Sequence, residues 1–146
     1  MRSLSYLVVG ALALASCAPS LPTRPSFVST GRENPAGWPS PRPALAGDPP
    51  QILALRFSAL DVALGNDWSG EAVTSSNTAS VDFVTNLFDS RLTKVGPGRF
   101  SFNFHLLDAP PFFVRTYGLR VIARSANGRV SETLVPFRIR GRAVDR

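Results

Sequence analysis

Residues 99 to 106 read RFSFNFHL. Phe100, Phe102, Phe104 and Leu106 share one parity; Arg99, Ser101, Asn103 and His105 share the other. A period of two held over eight residues predicts a strand with one dry and one wet face, the arrangement of antiparallel sheets. Gly96-Pro97-Gly98 places a turn directly before it.

The same period extends outward in both directions. Leu53, Leu55 and Phe57 alternate upstream. Residues 70–76 read as a short strand, Asn77-Thr78 as a turn, and residues 80–85 as a further strand with Val81 and Phe83 on one face. Residues 91–95 form a short edge candidate. Downstream, Tyr117, Leu119, Val121 and Ala123 alternate, and residues 130–139 close the chain. About seven strands with turn signals every ten or so residues predict an all-β, antiparallel sandwich. Pro136 suits an edge position or a bulge, because proline has no N–H for a ladder. The last strand reads as changing phase there, from Val130 and Leu134 inward to Phe137 and Ile139 inward. Residues 58–65 carry two readings. Ser58 and Asp61 have capping-box spacing and Gly65 would end a short helix. Leu60, Val62 and Leu64 also alternate, and this favours a strand or an irregular turn.

Tyr117, Leu119, Val121, Ala123 and Gly128 sit at offsets 0, 2, 4, 6 and 11. This run resembles strand F and the following turn of fibronectin type III and related bacterial immunoglobulin-like domains. The resemblance implies that Tyr117 is a corner residue whose hydroxyl bonds backbone upstream. It implies Trp68 as the core tryptophan of strand B and strands F and G as neighbours. It is a fold pattern and implies no activity.

The chain has 146 residues, 44% of them hydrophobic, which suits one domain. Nine of its 13 prolines precede residue 51. Residues 18–50 therefore read as a disordered or polyproline-II tether, about 100 Å long if fully extended at ~3.1 Å per residue. Phe27 and Trp38 are its aromatics: a docking motif for a partner or for the domain itself, or incidental linker residues. The first 16 residues have the grammar of a signal peptide, with Arg2 as the positive region and Leu4 to Ala15 as the apolar one. That apolar run is shorter than the ~18 residues a membrane-spanning helix needs. The divisions expected are 1–16 signal peptide, 17–50 lipidated N-terminus and tether, 51–141 sandwich, and 142–146 basic tail.

Leu14-Ala15-Ser16-Cys17 resembles the lipobox of bacterial lipoproteins, and Cys17 is the single cysteine of the chain. The resemblance implies lipid on the Cys17 sulfur, cleavage after Ser16 and acylation of the new amino group. Two or more acyl chains anchor stably where one does not. Ala18 stands where an aspartate would retain the protein in the inner membrane. The implied place is the outer membrane of a cell envelope, with the domain facing the periplasm and anchored by its N-terminal lipid.

Residues for chemistry are sparse. His105 is the sole histidine and falls on the polar face of its strand. No Cys–His pair, Gly-x-Ser-x-Gly elbow or phosphate-binding glycine loop is present. Asn66, Asp67 and Glu71 lack the ligand spacing of a calcium loop. The expectation is a non-catalytic module without metal or cofactor, binding an envelope protein as an accessory or scaffold. The formal net charge is +6, and residues 115–146 hold eight arginines against two acids. Arg120, Arg124, Arg138 and Arg140 should face outward from neighbouring strands, with Arg142 and Arg146 extending the set. They define an alternative: a basic face for anionic glycan or lipid phosphate, or simply a solvated face. Nucleic acid is not an expected partner of an exported chain. Phe112 and Phe113 cannot both turn inward from an extended backbone, so one of them forms an exposed tip or the loop folds back over the sandwich.

Overall fold

Ten strands form two five-stranded sheets in the computed structural model, which describes residues 25, 27–107 and 110–142. One sheet runs β1 (Phe27–Thr30), β2 (Ile52–Phe57), β4 (Asp67–Thr74), β8 (Arg99–His105), β7 (Thr93–Gly96). The other runs β3 (Asp61–Ala63), β10 (Val130–Arg140), β9 (Thr116–Ser125), β5 (Thr78–Val84), β6 (Asp89–Arg91). Without β1 and β3 this is the A-B-E-D and G-F-C pattern of an immunoglobulin-like sandwich, with β6 as a C′ strand beside β5. β9 and β10 pair antiparallel as F and G. The all-β sandwich expected from the alternating pattern is the fold.

The alternation of RFSFNFHL buries Phe100 and Phe102 and half-buries Phe104, while Asn103 and His105 stay exposed. The Phe102 and Phe104 rings meet Trp68 from β4, which is fully buried. Trp68 stacks between Phe57 (5.7 Å) and Phe137 (4.4 Å) and takes Phe102 edge-on at 4.9 Å. Its indole N–H donates to the Ala59 carbonyl at 2.8 Å, so the ring is buried without an orphaned donor. Gly70 lets β4 pass under this cluster: a Cβ there would lie 2.0 Å from the Arg56 carbonyl and 2.6 Å from the Phe102 ring. The Tyr117 hydroxyl donates to the Phe113 carbonyl at 2.7 Å, four residues upstream, which is the corner bond the sequence implied.

Three local readings are refined. Residues 89–96 supply two edge strands rather than one, because buried Leu92 carries the chain from β6 in one sheet to β7 in the other. Residues 58–65 hold no helix; Asp61 to Ala63 pair parallel with Arg138 to Arg140 as β3. The expected change of phase in β10 is absent. Ser131, Thr133, Val135, Phe137 and Ile139 all face inward, and Leu134 is 66% exposed. Unbroken register with β9 fixes the parity, and one exposed leucine costs less than a slipped ladder. Pro136 lies where β10 has no second neighbour, since β3 pairs only from Arg138 onward. The Arg138 N–H points away from β9 to the Leu60 carbonyl (2.8 Å), and the same parity turns the missing Pro136 N–H away from the ladder.

The largest difference concerns the expected tether. Residues 27–50 are applied to the sandwich. β1 pairs parallel with β2, from Phe27 opposite Ala54 to Thr30 opposite Phe57. Trp38 packs on Leu53, Ala54 and Val73, on the outer face of the sheet, and meets Phe27 edge-on at 6.5 Å. This explains why four successive residues, Ile52 to Leu55, are all buried: both faces of β2 are covered. Of the two aromatics, both dock on the domain itself. Proline density argued for a linker, but proline disfavours only interior ladder positions, and β1 contains none. The signal peptide, Cys17, the first part of the tether (18–24) and the end of the tail including Arg146 lie outside the described residues.

Candidate functional site

The sandwich has two ends. At the Gly98 end lie the 75–77, 97–98 and 126–129 turns; at the Phe112 end lie the 58–66 and 85–88 connections with residues 106–107 and 110–115. β8 delivers Leu106 and Leu107 to the Phe112 end, and one turn of 3-10 helix, Pro111–Phe113, follows. Paired prolines fix this turn: Phe113 and Val114 N–H groups close back on the Pro110 and Pro111 carbonyls at 3.0 Å. The short helical geometry separates the two adjacent phenylalanines. Phe112 is 70% exposed, and Phe113 turns to the domain with its ring 4.6 Å from that of Phe112. The Tyr117 hydroxyl holds the carbonyl of Phe113, so the corner of the fold positions the tip.

Phe113 forms one wall of a groove of about 450 Å³. Phe104, Leu106 and Leu107 line it from β8 and its extension; Leu87, Phe88 and Ser90 line it from the facing sheet. Thr85 braces the 85–88 turn, its Oγ1 accepting from the Leu87 and Phe88 N–H groups at 3.0 and 3.1 Å. Leu107 is 75% exposed and Val114 38%. The described residues thus place an apolar mouth in solvent at this end, the property that marks interaction surfaces. At the rim His105 Nδ1 lies 2.8 Å from Asp67 Oδ1, both exposed, and Asp89 lines the groove from β6. Glu71 is held by Arg99 at 2.8 Å and Arg56 at 3.5 Å on the outer face of the sheet, so Asp67 and Glu71 serve separate ion pairs. Among the described residues no three His, Cys, Asp or Glu side chains come together as metal ligands.

Arg120, Arg124, Arg138 and Arg140 are exposed on β9 and β10, as alternation predicted. Their surroundings are not uniformly basic. Arg120 binds Glu132 at 2.8 Å, Arg124 lies 3.4 Å from Asp82, and Arg140 lies 2.5 Å from Asp61. Asp82 also holds Arg91 at 2.9 Å. The Glu132 carboxylate, by hydrogen bond first and charge second, holds the Arg120 guanidinium above its ordinary pKa, and Asp82 does the same to Arg91. Arg138 alone of the four has no ion pair with a described residue.

Phe112 and Phe113 divide the two alternatives of the sequence reading between them, one ring exposed and the other turned back to the domain; Leu87 and Phe88 were not visible as part of a site. Their signal, two adjacent apolar residues between strands, is common to any loop that closes a core. Neither a known protein family nor a curated protein matches the chain in sequence. Among solved structures, it is similar to the fibronectin(III)-like modules of Clostridium thermocellum CbhA, at 18% identity and a TM-score of 0.42, over 59% of this chain and 88% of that one. The fold rests on the strand order given above, and this likeness bears on neither ligand nor activity.

Proposed function

We propose that the chain is a non-catalytic, lipid-anchored module of a bacterial cell envelope that binds a protein partner through the Phe112 end of its sandwich. The observation that carries this reading is the apolar mouth: Leu107 and Phe113 line a groove, and exposed Phe112 stands against Phe113 on a turn braced by two prolines and the Tyr117 hydroxyl. The lipobox at Leu14–Cys17 supports the anchor. Nine residues, ten Cα steps, separate Cys17 from Phe27. At ~3.3–3.6 Å per residue the anchor then lies within about 36 Å of the first strand, a third of the reach a full proline-rich tether would have. The module works close to its membrane. Three of the four arginines of the β9–β10 face already hold carboxylates, so that face is the weaker candidate for recognition.

Two experiments test the two halves. Metabolic labelling with an alkyne palmitate should mark the wild type and not Cys17→Ser; a mature N-terminus other than residue 17 refutes the anchor. A photo-crosslinking residue at position 112 of the full-length protein, in cells, should yield a discrete adduct that the same residue at position 134 does not. Equal adducts, or none from either, refute the binding mouth.

A further inference from the structure

The sheet containing β8 is unfinished on one side, and the groove lies under the gap. β7 pairs with only the first part of β8: Gly96 with Arg99, Lys94 with Phe100 and Thr93 with Ser101. On its other side β8 is paired by β4 all the way to His105. Neighbouring bonds fix which way the backbone groups point. The Leu106 N–H donates to the Asn66 carbonyl at 3.0 Å, and the Thr74 N–H to the Gly98 carbonyl at 2.8 Å. Even-numbered residues of β8 therefore turn their N–H and C=O to β4, and alternation turns those of Asn103 and His105 to the side where β7 has ended. Both residues are exposed, and no described strand pairs with them there. β6, in the facing sheet, spans only Asp89–Arg91. The mouth between the sheets is thus open along this half-edge, and the groove is the space that inward side chains of a longer β7 would occupy.

We infer that this half-edge receives an extended segment of a partner protein as an added strand. The inference rests on the reading of the Phe112 end as a protein-binding site and specifies how that site binds. A strand set beside Asn103 and His105 meets two N–H donors and two C=O acceptors in ladder geometry. Its pleat sends every second side chain between the sheets, against Phe88, Phe104 and Leu106, and the others to solvent. The partner is consequently apolar at alternate positions. Its inward face is uncharged, because the side chains it would meet there, Phe88, Phe104 and Leu106, are apolar and burying a lone ion is costly. Asp89, exposed at the rim, favours neutral or basic flanks. The 31–50 segment of the same chain is already placed elsewhere, against β2, β4 and the Gly98 end.

The test uses the full-length protein in detergent and a defined probe, the capped peptide Lys-Val-Thr-Val-Thr-Val-Lys, with a twin N-methylated at its three valines and another at its threonines. At millimolar peptide, amide exchange at Asn103 and His105 should slow at least tenfold, and one of the methylated twins should give no slowing. Ser90→Trp, which fills the groove, should abolish the protection with an unchanged denaturation midpoint; Asn103→Pro, which removes one outward N–H without touching the β4 ladder, should weaken it. Unprotected amides overturn the inference, as does equal protection by both twins, which would mean side-chain adsorption. Protection that rises with protein concentration in the absence of peptide overturns it in favour of a second copy. If position 112 crosslinks a partner while these amides stay unprotected in that complex, the binding mouth stands and strand addition fails.

Discussion

The two ends of the sandwich are finished in opposite ways. The Gly98 end is laced to the proline-rich segment. The Asn77 side-chain amide donates to the Leu45 and Asp48 carbonyls at 2.9 and 2.8 Å, and that of Asn127 donates to Ala46 at 2.9 Å. Ser131 Oγ reaches the Pro50 carbonyl, and Ser76 Oγ takes the Ala44 N–H. Gly98, at φ +66°, leaves room for Pro41: a Cβ there would stand 2.7 Å from the proline. At the Phe112 end nothing comparable covers the core among the described residues, and apolar side chains stand in solvent. Short polar side chains in tight turns satisfy a neighbouring backbone and so close one end; a proline-fixed aromatic turn presents surface and leaves the other open. The closed end contributes stability, and the open end leaves its apolar side chains uncovered among the described residues.

The contrast can be broken most severely at Trp38. If residues 27–50 belong to the fold, Trp38→Ala should cost about 2–4 kcal/mol by denaturant unfolding, since it strips the cover from Leu53, Ala54 and Val73. A free linker would leave the midpoint unchanged. Next comes the lacing: Asn77→Ala removes two donors to backbone carbonyls and should cost about 1–2 kcal/mol, with faster amide exchange in residues 45–48. No change in exchange there would mean the end is held by other contacts. The parity of β10 offers a paired test of intermediate size. Thr133→Asp places a charge inside and should lower stability by about 2 kcal/mol or more, whereas Leu134→Asp should stay within about 0.5; the reverse order would restore the phase change that the sequence suggested. The smallest effect is expected at the open end. Phe112→Ser should leave stability within about 0.5 kcal/mol of wild type while abolishing the crosslinked adduct at neighbouring Val114. A large loss of stability would assign Phe112 to the core.

Legibility in the sequence followed how local the signal was. The seven expected strands are present because alternation, turn residues and buried aromatics are written in consecutive positions, Phe100-Phe102-Phe104 above all. Tyr117 was placed by offsets within one strand, and Trp68 only through the resemblance to the core tryptophan of strand B. Leu134 misled because hydrophobicity was read residue by residue, while the register of β9 decides which parity is buried. The arginines of β9 and β10 were rightly placed on the outer face, but Asp61 and Asp82, distant in sequence, supply the carboxylates that temper it.

By itself, then, the sequence determined the all-β class and the dry and wet faces of most strands, both properties of short contiguous runs. Only the tertiary structure decided that the proline-rich stretch lies on the sandwich, that β7 stops half-way along β8, and that a groove opens under the gap. Those outcomes depend on which surfaces meet across many residues. A strand's length is set by where its neighbour ends, and an exposed apolar face finds its cover wherever the chain can reach.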